Sequence, residues 1–112
     1  MKSKVEIEAG VCGFKAVITA QSPDGCQVKF HINTDCPEVP KWVKALQDEG
    51  NLDIMQNFYL LREDVLVKSI RLHAPDACGF CAVPLGLSKA IQVATGLALP
   101  KDIHLKITKE EE

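Results

Sequence analysis

The chain has 112 residues, of which 46% are hydrophobic and 25% charged, and a net charge of −2. A chain of this length can bury roughly two thirds of the surface it exposes when unfolded, enough for one core without disulfide staples. The composition excludes a disordered chain, and the scattered Lys and Arg residues lack the basic clustering that nucleic-acid binding needs.

The N-terminal Met1-Lys2-Ser3-Lys4-Val5-Glu6 has no apolar core of a signal peptide, and no apolar run approaches the roughly 20 residues that span a bilayer. The expectation is a cytoplasmic protein with no membrane contact. Its five cysteines are an odd count in a compartment where disulfides are rare. Clustered thiols then point to metal or redox chemistry.

In chain order, Val5, Ile7 and Ala9 alternate with charged residues and predict a half-buried strand near 4–9. Gly10-Val11-Cys12-Gly13 interrupts it, and 14–20 predict a second strand. Ser22-Pro23-Asp24-Gly25 is a turn signal, since Pro presets φ and Gly accepts a positive one. Cys26, Val28, Phe30 and Ile32 then share one face of a third strand, completing an antiparallel meander.

Asp35-Cys36-Pro37-Glu38 reads as a helix start, with Asp35 as cap, Glu38 three residues later completing a capping box, and Pro37 in the first turn. The helix carries an apolar stripe of Val39, Trp42, Val43 and Leu46 and stops at Gly50. Between Asn51 and Leu72 the pattern is mixed. Asp53 is placed to cap a helix burying Ile54, Phe58 and Leu61, and Asp64 to begin another, while 65–72 also suit a strand.

Ala74 to Cys81 reads as a loop, and Pro84 opens a helix that ends at Gly96 with Val83, Leu87, Ala90, Ile91 and Ala94 inward. Ile103, Leu105 and Ile107 alternate with Asp102, His104 and Lys106 as a final strand. The predicted fold is a single α+β domain over 1–112, with 108–112 a flexible acidic tail. It is a two-layer sandwich: an antiparallel-rich sheet of about four strands with helices on one face.

A meander reverses direction at each strand, so Cys12 and Cys36 leave the sheet at the same end. A final helix descending beside the first would start at that end as well, bringing Cys78 and Cys81 close. Cys26 stays apart, in register with core residues, as a small buried apolar residue. Cys36 and Cys81 lie near helix N-termini, whose partial positive charge favours the thiolate over the thiol.

The leading reading is a site of Cys12, Cys36, Cys78 and Cys81 holding zinc or an iron–sulfur cluster, Cys78-x-x-Cys81 forming a two-ligand knuckle. His73 is the alternative to Cys78, because imidazole is a common metal ligand. The second reading is a thiol–disulfide oxidoreductase using the Cys78–Cys81 dithiol. Its motif resembles that of thioredoxin-like proteins, but those place it after an early strand. The third is an interaction module whose thiols are inert. His31 and His104 fall on polar strand faces, and no hydrolytic triad or phosphate-cradling loop is present.

Ala9-Gly10-Val11-Cys12-Gly13-Phe14, Cys36-Pro37, and the run from Cys81-Ala82-Val83-Pro84 through Lys89-Ala90-Ile91 to Gly96-Leu97-Ala98-Leu99-Pro100 carry a resemblance. With these residues the chain resembles a family of small cysteine-containing proteins of unknown function found mostly in methanogens and other anaerobes. Cys12, Cys36 and Cys81 match that pattern better than Cys78 does. The resemblance implies no activity, and an anaerobic setting would suit an oxygen-sensitive cluster. A protein partner is compatible with all of this, and nothing in the residues identifies one.

Overall fold

A computed structural model describes residues 1–48, 52–54, 65–77 and 81–111. The first three strands are β1 (Lys2–Glu8), β2 (Lys15–Gln21) and β3 (Gln27–Thr34), an antiparallel meander. Ile18 sits opposite Val5 on one side and Ile32 on the other, so the apolar residues of three strands line one face. The alternation in the sequence sets the parity of this register, because a one-residue slip would turn every apolar side chain to water. In β1 the even-numbered residues are exposed and the odd-numbered ones half-buried.

Asp24 fastens the β2–β3 turn by accepting the backbone N–H groups of Cys26 and Gln27, each at 2.8 Å. Those two bonds, that to Cys26 foremost, hold its carboxyl below the ordinary value of 3.8. A lowered folded-state value means the turn is favoured above about pH 4 and loses that support as pH falls through it. Asp24→Ala is therefore expected to lower the melting temperature at pH 7. The gap from the parent protein should narrow steadily below pH 4 in circular-dichroism melts. A gap that is the same at pH 7 and pH 3 would contradict this account of the turn.

After the meander come α1 (Val39–Asp48), β4 (Leu52–Asp53), α2 (Val65–His73) and α3 (Ala82–Ala94). The sheet order is β1-β2-β3-β4, and β4 runs antiparallel to β3 with Asp53 opposite Gln27. The helices cover one face: α3 lies on β1 and β2, α1 meets β3, and α2 packs between α1 and α3. The fold is thus the expected α+β arrangement of an antiparallel sheet with helices packed on it. No helix among the described residues is long and apolar enough to cross a membrane.

Three expectations need correction. The first helix starts at Val39, not beside Cys36. Thr34 Oγ1 takes the N–H of Cys36 at 3.2 Å, which holds Asp35 and Cys36 in a local turn at the strand end. Pro40 rather than Pro37 then occupies the first turn. Asp53 directly precedes Ile54, which is helical and buried. Asp53 itself lies in β4, where its Oδ2 accepts from the Gln27 side chain at 2.8 Å. Phe58, Leu61 and Asp64 lie outside the described residues.

Cys26 lies in the turn before β3 and is half-buried, not one of the core side chains. Its parity matches Val28, but the strand begins only at Gln27. Finally, residues 99–111 have no regular secondary structure, so the expected closing strand is absent among the described residues. Alternation fixes which face a strand would bury, but a strand also needs a neighbour to bond with, and this segment has found none. The fourth strand of the sheet is β4 instead.

The ambiguity over 65–72 resolves as a helix, because Leu66 and Ile70, four apart, are both buried. In α3 the inward residues are Val83, Leu87, Ala90, Ile91 and Ala94, all buried. The core joins them to Ala16, Ile18, Ala20, Val28, Val39 and Trp42. Alanines at 16 and 20 in β2 and glycine at 86 in α3 let that helix approach the sheet closely.

Candidate functional site

The register fixes the end of the sheet at which each connection lies. Glu8 faces Lys15 where β1 turns into β2, and Ala16 faces Thr34 where β3 leaves the sheet. Cys12 and Cys36 therefore belong to the same end. The direction of α3 follows from its contacts with β1. A Cβ on Gly86 would meet Ile7, whereas Ser3 Oγ donates to Ala90 O at 2.6 Å and Gly96 lies beside Met1. The helix thus begins at the end holding Cys12 and Cys36, and Cys81 is its N-cap residue.

Each connection is shaped by local chemistry. Around Cys12 the chain reverses tightly: Gly13 N–H donates to Gly10 O at 2.9 Å and Ala9 N–H to Phe14 O at 3.1 Å. Gly10 and Gly13 adopt φ of 88° and 72°, conformations that side chains with a Cβ rarely take. Val11, fully exposed, forms the tip beside Cys12. The stretch before α3 is tied down by Arg71, whose guanidinium donates to Pro75 O at 3.0 Å and to Ala77 O. Ala74 and Ala77 are buried beneath it.

Cys12, Cys36 and Cys81 are all half-buried, and Cys36 and Cys81 also pack against the core. Cys26 lies at the opposite end, in the β2–β3 turn. Cys78 is outside the described residues. His73, the alternative ligand, is exposed at the last position of α2. His31 and His104 are likewise exposed, as the polar faces implied. Among the described residues, no three His, Cys, Asp or Glu side chains gather closely enough to hold a metal ion. The topology brings three thiol-bearing segments to one end without drawing their side chains into a ligand set.

Glu38 is the residue at this end that sequence reasoning assigned a different role. Read as the acid of a capping box, it instead pairs with Lys41, Oε2 to Nζ at 2.6 Å, with its side chain only 13% exposed. That hydrogen bond, with the added pull of the opposite charge, raises the Lys41 ammonium above its ordinary value. Glu38 Oε1 is buried without a hydrogen-bond partner among the described residues. No sequence signal marks such an oxygen, because its burial depends on α1 starting at Val39.

The chain belongs to a family of unknown function (DUF6951), whose model matches residues 3–107. No curated protein and no solved structure matches it. The match runs from within β1 through α3 and continues through Ile103, Leu105 and Ile107.

Proposed function

We propose that the chain, as a member of that family, binds zinc or an iron–sulfur cluster through Cys12, Cys36 and Cys81, in an accessory or electron-transfer role. Cys78 is the fourth thiol by its sequence spacing from Cys81. The observation that supports this reading is the convergence of three cysteine-bearing connections at one end of the sheet. Thiolate ligands drawn from separate elements suit zinc or a cluster, and ligand capture then fastens the connections to one another. Binding would have to close the connections around the ion. The buried Oε1 of Glu38 is a carboxylate donor at the same end, a type that zinc also accepts.

The packing of Cys36 and Cys81 against the core favours one other reading, in which they serve as small apolar residues of an interaction module. The dithiol oxidoreductase reading needs chemistry confined to Cys78 and Cys81. One set of measurements separates the three. Protein purified without oxygen and without a metal-affinity tag should carry about one zinc ion or one cluster per chain. Cys12→Ser and Cys36→Ser should weaken binding as strongly as Cys81→Ser, by more than about 100-fold, since each removes a direct ligand.

A brown protein that bleaches in air would select the cluster, and a colourless one with stoichiometric zinc the structural metal. A reversible disulfide limited to Cys78 and Cys81, unaffected by Cys12→Ser, would select the oxidoreductase. Anaerobic protein that is metal-free, ignores added zinc or iron and sulfide, and melts unchanged with them would leave the interaction module.

A further inference from the structure

Residues 101–107 present a strand pattern with nothing to pair with. Ile103, Leu105 and Ile107 are 55%, 83% and 91% exposed, so the segment touches almost nothing, its own sheet included. Three large aliphatic side chains in strict alternation are costly to leave in water, and an isolated tail has no reason to keep that period. The family match extends to 107, which makes the segment part of the domain rather than an appendage.

The sheet has a matching vacancy. Among the described residues β1 has a strand neighbour on one side only, so its outer edge offers a row of N–H and C=O groups. Its inward row is also incompletely covered. Val5 and Ile7 are half-buried, whereas Ala16, Ile18 and Ala20 of β2, with strands on both sides, are fully buried. A strand laid along β1 would close that gap.

We propose that the 103–107 segment of one copy adds as a strand to β1 of a second copy, and reciprocally, forming a two-fold dimer. The antiparallel register that sets Val5 opposite Ile107, Ile7 opposite Leu105 and Ala9 opposite Ile103 aligns the apolar rows. The same register sets Glu6 opposite Lys106, Glu8 opposite His104 and Lys2 opposite Glu110 on the outer face. Slipping by two residues one way puts Lys106 opposite Lys4 and Asp102 opposite Glu8; slipping the other way puts Lys109 opposite Val5. Directly opposed unlike charges stabilise a strand pair and like charges oppose it, so one register is selected.

The test measures mass in solution by light scattering, with full-length chains. The wild type should have twice the 12.3 kDa mass of one chain. Leu105→Lys should give monomers with an unchanged far-ultraviolet spectrum, because Leu105 is 83% exposed in the isolated chain. Glu6→Lys alone and Lys106→Glu alone should each weaken the dimer by about tenfold or more. Mixing those two variants should restore it, since in the mixed dimer each substituted residue faces its complement. A wild type that stays monomeric at every accessible concentration would overturn the proposal. So would a dimer indifferent to Leu105→Lys, or single variants that mixing does not rescue. The last result would place the pairing within one chain.

Discussion

Trp42→Ala is expected to destabilise the protein by about 3–5 kcal/mol, the largest effect of any single substitution considered for this chain. Trp42 is wholly buried, and its Nε1–H donates to Ser69 Oγ at 3.1 Å. The indole therefore joins α1 to α2 and fills the space between them. Truncation leaves a cavity that α1 cannot readily collapse into, because the helix is packed against both α2 and β3. A domain of this size is stable by about 5–15 kcal/mol, so the loss removes a large share of the margin. Urea denaturation should show the midpoint falling with an unchanged slope. Trp42→Phe keeps most of the volume but abandons Ser69, and its cost should be markedly smaller. Equal costs for the two would assign the role to the hydrogen bond and not to packing.

Gly86→Val carries the second large effect, a loss of about 1–3 kcal/mol from overpacking. A Cβ at position 86 would stand 2.5 Å from Ile7 Cδ1 and 3.1 Å from Ile18 Cδ1. Ile7 lies on the half-buried edge strand and can swing its terminal methyl outward, but Ile18 is fully buried and cannot. Valine adds two γ-carbons beyond the Cβ and drives α3 off the sheet. Gly86→Ala adds only the Cβ, and its better helix propensity, worth up to about 1 kcal/mol, offsets the contact. Combining Gly86→Ala with Ile7→Val removes the offending Cδ1 and should melt higher than Gly86→Ala alone. If Gly86→Val melts like the parent protein, the helix is not held as close to β1 and β2 as this geometry requires.

These two positions show where sequence patterns run out. The stripe containing Trp42 is plain in the periodicity of 39–46, and its burial follows. That Ser69 receives its N–H requires knowing that 65–73 is a helix beside α1, where the pattern alone suited a strand equally well. Gly86 looks like a mild flaw in a helix until Ile7 and Ile18, far away in sequence, are placed against it. Cys26 shows the reverse error. Its parity with Val28 suggested the core, but a turn fastened by Asp24 delays the start of the strand to Gln27.

For the candidate site, reversal of direction in the meander was enough to put Cys12 and Cys36 at one end, since that depends on topology and not on side-chain placement. The descent of α3, which adds Cys81, is only compatible with the element order; its contacts with β1 fix it. The distances between the sulfurs depend on rotamers and on where α1 begins, and no local pattern carries that information. Glu38 illustrates it: a helix starting three residues later than Cys36 turns a capping acid into a buried partner of Lys41.

By itself the sequence determined the meander and the inward face of its strands, the inward face of α3, and the fold class, because each follows from local alternation or helical period. Tertiary structure decided everything that rests on which distant segment lies alongside. It chose Leu52–Asp53 as the fourth strand through pairing with Gln27 and Val28. It also left Ile103, Leu105 and Ile107 exposed although their alternation is as clear as that of β1. Period 2 says that a segment has a face to bury; only a neighbouring backbone with unpaired N–H and C=O groups makes it a strand.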